Sequence, residues 1–504
     1  MPKAGHFGTR AADGAFVFST CPPGYCIETN GGGSNFVVGT LYAQCAAGAN
    51  RDWTVPLCGA CLPGYSQSLS NANCVADGTC HGTALWFWPA SALYCAVYSV
   101  YFLWSSKPSG AATQKTEAPR RGTARYRLLL AAVQRSALGM ALAGGSINVI
   151  AFFFQMAGVV MPAKGAAATI GSALKSFFGM QVGGSTSGGG KRDGGFCIWA
   201  GMSALAKIEI HYAVPFAMAV VLCLLVALGS CARKGSSAAA NLRARFPGAV
   251  AELALLAYAT LSSTTLQLLD CVDVPSSLGA PGAVTSVLFL AGDVQCGAWQ
   301  APLYAFLALL VALPAVPVFT FCARQLPQQW WLARKAHAAQ FPAHPTAQAL
   351  RNSICKAYRD DAWHWPALLA LQRFAMVATP IFVADTLESS VTLALIAFLA
   401  LLLHTICASP FAHEAVNTHQ KIAATCLATL AVLNVPQETL LQASVDVNDA
   451  TEAALKTVCD RLDGFMAVVL LAPVLLPLLW MALGSVSRRS ADAKQLRTPL
   501  LGDN

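Results

Sequence analysis

Charge is what this sequence has least of: 11% of its 504 residues are Asp, Glu, Lys or Arg, while 55% are hydrophobic. A soluble domain rarely combines those two figures, and the mean hydropathy is positive. Most of the chain therefore belongs in lipid. Catalytic patterns are also missing. There is no pair of carboxylates placed for one cleft, no Gly-x-Ser-x-Gly elbow, no phosphate loop and no His-Glu-x-x-His helix, so no enzyme is expected. The start, Met1 to Gly14, lacks the basic segment and apolar run of a secretory leader. Insertion is expected to be directed by a later span unless the chain begins downstream of a leader. The formal charge of +9 does not indicate nucleic acid, because Lys and Arg lie in short clusters between apolar runs and form no single basic face. Glycine is abundant throughout, so the stretch Gly183 to Gly195 reads as linker.

What is present is a series of long apolar runs. A helix crosses the hydrocarbon core in roughly 20 mostly apolar residues, since every backbone polar group must be satisfied inside the segment. Nine stretches qualify: Thr83–Trp104, Met140–Met161, Tyr212–Cys231, Gly248–Leu269, Ala301–Cys322, Pro366–Ala384, Val391–Ala408, Ile422–Val435 and Phe465–Leu483. The expected fold is an all-α polytopic membrane protein of about nine transmembrane helices, residues 83–484, behind a small disulfide-rich N-terminal ectodomain, residues 1–82, with a tail from 485 to 504. Lys and Arg are more than twice as frequent in the first, third, fifth, seventh and last connectors as in the opposite set. By the positive-inside rule the N-terminus is outside and the C-terminus inside. Seven spans would satisfy the same parity; nine is preferred because Pro410 to Lys421 is polar enough to be a loop between two crossings. The longest inner connector, 323–363, mixes Trp330 and Trp331 with Arg334, Lys335, Lys356, Tyr358 and Arg359. That composition suits an interfacial helix and equally a solvated loop.

Ahead of the first span stand Cys21, Cys26, Cys45, Cys58, Cys61, Cys74 and Cys80, in a stretch too short and polar to build a core unaided. Further outer segments add Cys197, Cys271 with Cys296, and Cys459. All eleven are disulfide candidates, and their placement on the side poor in Lys and Arg agrees with the orientation. Cys271 with Cys296 would close the loop after the fourth span, with Cys197 or Cys459 as competitors; spacing alone does not set connectivity. Cys58-x-x-Cys61 has only His81 near it, so no metal site and no cofactor are expected. Cys95, Cys223, Cys231, Cys322, Cys407 and Cys426 fall in or beside spans and read as apolar fillers.

Val55-Pro-Leu-Cys58-Gly-Ala-Cys61-Leu-Pro-Gly64-Tyr65, running on to Cys74, resembles the last EGF-like or ephrin-receptor-like cysteine-rich repeat of large multi-pass surface proteins of protists and algae, where a span follows at once. Later words resemble the same family in order: Asn148 to Met161 with Gln155 inside; Tyr258-Ala-Thr-Leu-Ser262 running to Asp270-Cys271; Cys355-Lys-Ala-Tyr358-Arg359 before Trp363 and Trp365; and Pro410-Phe411 with Asn417. Its membrane part is similar to the TRP-like channel family, so the resemblance implies a channel or channel relative. The ectodomain here is shorter, and no acidic or Gly-rich filter stands out.

Polar side chains at membrane depth normally face a partner, the bundle interior or water. Gln155 and Gln267 could line a pathway or simply bond neighbouring helices. Arg373 could be a gating or anion-facing charge, but its place near one end of its span makes snorkelling to phosphate the expectation. His404 could titrate near neutrality or be a hydrogen-bonded structural imidazole. Pro314 with Pro317 and Pro473 with Pro477 remove helical donors, so the carbonyls they free need partners. The leading expectation is a TRP-like ion channel, with the polar residues lining or bracing a pathway. The rivals are a surface receptor or adhesion protein using the outer module, and third a transporter, for which no internal repeat is visible. Expected partners are the bilayer, ions and an extracellular ligand.

Overall fold

The computed structural model describes residues 6–10, 16–27, 45–46, 48–69, 71–105, 146–161, parts of 167–174, 197–232, 237–275, 284–325, 358–359, 362–383, 385–406, 409–412, 414–443 and 449–495. Helices dominate. Each apolar stretch named above carries one: α1 Cys80–Ser105, α2 Ser146–Val160, α3 Ala204–Ala232, α4 Ser237–Leu269, α5 Ala301–Gln325, α6 Trp365–Phe382, α7 Thr386–Ile406, α8 Glu414–Ala443 and α9 Asp449–Gln495. Five of these, α3 to α7, hold segments that by length and composition are long and apolar enough to cross a membrane. The segment α2 is shorter, and at 1.5 Å per residue its fifteen residues reach about 22 Å, less than the hydrocarbon thickness. Most of the connector 323–363 and the tail beyond 495 lie outside the described residues, as do Cys355 and Cys407.

Helix α2 is the axial element. Its sequence has no charge, and Phe152, Phe153, Phe154, Met156 and Ala157 are all buried, because α4, α6, α8 and α9 pack around it. Two apolar cores meet along α4. One joins α2 with α6 to α9 through residues such as Phe153, Trp365, Leu393, Leu427 and Leu470; the other joins α1, α3 and α4 through Phe102, Met218, Leu222 and Leu256. Outward faces remain apolar, with Phe216, Leu228, Leu313, Phe319, Leu395 and Phe398 exposed as lipid-facing residues would be.

Three chain segments gather at one end of this bundle. The N-terminal module contributes two antiparallel hairpins, β1 His6–Arg10 with β2 Phe16–Thr20 and β3 Tyr65–Gln67 with β4 Cys74–Ala76. The connection from α4 to α5 forms a three-stranded antiparallel sheet, β5 Cys271–Pro275, β6 Val284–Leu288 and β7 Ala291–Gln295. They share a core of Phe7, Tyr25, Leu57, Val274 and Val287. The turn at Pro56–Cys58, with Leu57 and Cys58 left-handed, presses so closely on β7 that a Cβ on Gly59 or Gly292 would overlap the opposing backbone. The third segment, 197–203, docks on β3–β4: the Gln67 N–H donates to the Met202 carbonyl at 2.8 Å and the Gly201 N–H to Ser66 Oγ at 2.8 Å. Exposed Trp86, Trp88, Trp199, Trp299 and Tyr304 ring the base of this cap, where α1, α3 and α5 begin, as in an aromatic belt at a membrane boundary.

The cysteines follow the cap. Five disulfides join Cys21–Cys26, Cys45–Cys58, Cys61–Cys74, Cys80–Cys197 and Cys271–Cys296. Cys80–Cys197 staples the start of α1 to the segment leading into α3. Cys459, expected among the bridged residues, is a free thiol instead. It lies inside α9, and its candidate partners are already paired within the cap. Cys95 is buried, Cys223 and Cys231 are exposed on α3, and Cys426 is intermediate.

Candidate functional site

Of the four intramembrane polar residues singled out by sequence, two meet. Gln155 on α2 donates through Nε2 to the Leu256 carbonyl at 2.8 Å, and Arg373 on α6 donates through Nη1 to the adjacent Leu255 carbonyl. The Arg373 guanidinium also lies over the Phe152 ring, 4.9 Å from its centroid. Successive carbonyls of α4 thus receive one donor from each of two helices. Arg373 does not snorkel. It is buried at 7% exposure, about 12 Å along α6 from Trp365, on the face packed against α2 and α4. Among the described residues no carboxylate is paired with it, and Nε has no partner. A fixed cation in this seam would repel a permeant cation about 5 Å away by roughly 3 kcal/mol at an effective dielectric of about 20. The seam is therefore a poor lining for cations.

The other two sit apart. Gln267 is half-buried on α4, about 16 Å beyond Leu256. His404 lies at the end of α7 remote from the cap, with its ring edge against Trp365 at 5.0 Å and its Nε2 3.2 Å from Gln420 Nε2. The other ring nitrogen, Nδ1, is buried without a partner among the described residues. Close by, Arg359 N–H donates to the Pro410 carbonyl at 2.9 Å, Tyr358 stacks on Phe411, and the Asn417 amide holds both the N–H and the carbonyl of Phe411. Two of the short family-like words therefore form one joint between the approach to α6 and the α7–α8 turn.

In each proline pair one freed carbonyl has a partner that is not legible in the sequence. Pro314 cannot donate to the Leu310 carbonyl; the Tyr258 hydroxyl on α4 does so at 2.8 Å. Pro477 leaves the Pro473 carbonyl without a helical donor, and His419 Nε2 on α8 lies 2.9 Å from it. Counting four residues back from each proline identifies these carbonyls from sequence; finding the donors requires the packing. Asp463 is another unanticipated residue, its Oδ1 accepting the Ala167 N–H at 3.1 Å.

In the cap the residue that sequence missed is Arg51. It donates to the carbonyls of Cys58 and Ala72 at 2.9 Å each and to Gln67 Oε1 at 2.8 Å, and lies over the Tyr25 ring at 3.2 Å. Burial pushes its pKa down, while Tyr25 acts in the opposite direction. No group of three or more His, Cys, Asp or Glu able to hold a metal occurs among the described residues. In comparisons with known proteins, the chain matches no family model, no curated protein and no solved structure.

Proposed function

We propose that the chain is a channel-like membrane protein of the cell surface, related to the TRP-like family, that crosses the bilayer nine times with the cap outside and the C-terminus inside. The observation that carries this reading is the continuity of α4. Its last residue, Leu269, is separated by Asp270 alone from β5 of the cap, and its middle carbonyls receive Gln155 and Arg373. Force or ligand acting on the cap is thereby delivered to the centre of the bundle. The Cys80–Cys197 bridge and the core shared with β5–β7 favour such coupling over a freely hung adhesion module. Cations pass elsewhere than through the Arg373 seam.

Patch recording of the full chain in a cell or liposome membrane tests the reading. A tension-activated current is expected, and the C80S/C197S variant should need more tension to reach half-activation, because the cap is then less firmly joined to α1 and α3. Silence under voltage, stretch and osmotic shock, with the protein demonstrably in the membrane, would count decisively against a channel.

A further inference from the structure

Near the capped ends of α7 and α8, two amide oxygens are buried without a donor. Among the described residues Asn434 Oδ1 and Gln437 Oε1 have no hydrogen-bond partner, though Asn434 and Gln437 are 5% and 4% exposed. At a spacing of three residues they share one face of α8. Below them lie the apolar side chains of Leu430, Ala431 and Leu393. The orientation of the Asn434 amide is fixed by its other end, since Nδ2 donates to Ser390 Oγ at 3.2 Å while that hydroxyl donates to the Thr386 carbonyl at 2.8 Å. Turning the amide over would place its NH2 group where the oxygen is and require the Ser390 hydroxyl to leave the Thr386 carbonyl. The Asn434 oxygen is thus left as an acceptor, and the Gln437 oxygen three residues on is a second one, with no N–H or O–H donor to either among the described residues.

We propose that the Asn434 and Gln437 oxygens form a binding site for a monovalent alkali cation on the face of α8 that meets α7, with Ser390 holding the Asn434 amide in place. Neutral amide oxygens replace part of the hydration shell of such an ion, whereas a divalent ion draws carboxylates into its first shell, and neither unpartnered group is a carboxylate. The local charge agrees with a cation. Glu388 on α7 and Glu438 on α8 stand on the adjoining turns, and the positive end of α7 is offset by Asp385, whose carboxylate accepts the N–H groups of Leu387 and Glu388. The site is separate from the Arg373 seam and does not depend on whether the chain conducts.

The test is thermal unfolding of the full purified chain in lipid nanodiscs, with sodium, potassium or N-methyl-glucamine as the chloride salt at constant ionic strength. Sodium or potassium is expected to raise the melting temperature by a few degrees in a saturable manner, and whichever ion saturates at the lower concentration is the preferred occupant. Q437L should abolish the dependence while unfolding no earlier than wild type in N-methyl-glucamine, because it removes an uncompensated acceptor; N434L should abolish it too, but loses the hydrogen bond to Ser390 as well. N434D should keep the dependence and lower the half-saturating concentration about tenfold, which covers the case in which a leucine variant does not fold. Identical melting of the wild type in all three salts would overturn the proposal and assign both oxygens to an ordered water.

Discussion

Arg51 in the cap and Arg373 in the bundle are almost equally hidden, at 4% and 7% exposed, yet their surroundings differ. Arg51 uses its fork fully: three acceptors and an aromatic face, two of the acceptors being loop carbonyls of Cys58 and Ala72. Arg373 has one carbonyl and one ring, and its Nε is unpartnered. The Leu255 carbonyl lies inside α4, where the N–H four residues on already serves it. A buried cation whose removal strands other groups is structural; one whose removal strands nothing is free to serve a state of the molecule other than this one.

Replacing Arg51 by Met should therefore give the largest effect. It leaves the Cys58 and Ala72 carbonyls and Gln67 Oε1 buried without their donor, a loss of roughly 3–5 kcal/mol. The expected readout is a cap that becomes protease-sensitive and pairs its cysteines wrongly, measured by limited proteolysis and disulfide mapping. A correctly bridged, resistant cap would break the comparison.

Tyr258→Phe should cost about 1–2 kcal/mol, because Pro314 has already taken the helical donor from the Leu310 carbonyl. The cycle with Pro314→Ala sharpens this. Restoring the N–H at 314 lets α5 satisfy its own carbonyl, so Tyr258→Phe should be much less damaging in that background, and the two changes should not add. Additive melting shifts would mean that the hydroxyl serves some other group.

These cases show what the sequence could carry. Each of the nine apolar runs carries a helix among the described residues, because hydrophobic length is a local property read along the chain, and five of these helices qualify as spans by length and composition; the polar cysteine-rich stretch marked part of the cap for the same reason. The freed carbonyls of Leu310 and Pro473 also follow from proline position alone. Partnership does not. Gln155 and Arg373 are 218 positions apart in chain order and meet only because α2 and α6 both lie on α4, while Gln267, equally polar in the sequence, turns out to be half-buried and remote from them. Arg51 looked like one outer basic residue among several, since nothing local distinguishes a guanidinium that the fold encloses. Cys459 looked like a loop cysteine because the start of α9 is polar, and the helix there extends well beyond its apolar segment.

A smaller effect is expected at Asp270, between α4 and β5. Burial raises its pKa from 3.8 to about 6. The folded state thus holds this proton more tightly than the unfolded chain, so the associated stability is full below about pH 4 and is lost as pH rises through about 6. Discounted for partial exposure, the difference is about 1 kcal/mol. Asp270→Asn should raise the melting temperature at about pH 7.5 and flatten its decline between about pH 4 and about pH 7; an unchanged pH profile would place the carboxylate in water.

The smallest change in stability is expected where the buried charge looks most conspicuous. Arg373→Met keeps the stem that packs on Phe152, removes a cation with an unpartnered Nε, and takes nothing from Leu255 that its own helix does not supply. Melting should shift by less than about 1 kcal/mol in either direction, and a gain is the natural sign because an uncompensated charge leaves the interior. Recordings then separate two roles. If current appears at the same tension in Arg373→Met as in wild type, the guanidinium is only a brace; if the tension moves while the melting does not, Arg373 finds a better partner in the open state, and Nε is the donor held in reserve for it. A loss of several kcal/mol would instead make Arg373 a second Arg51 and remove the distinction between the cap and the bundle.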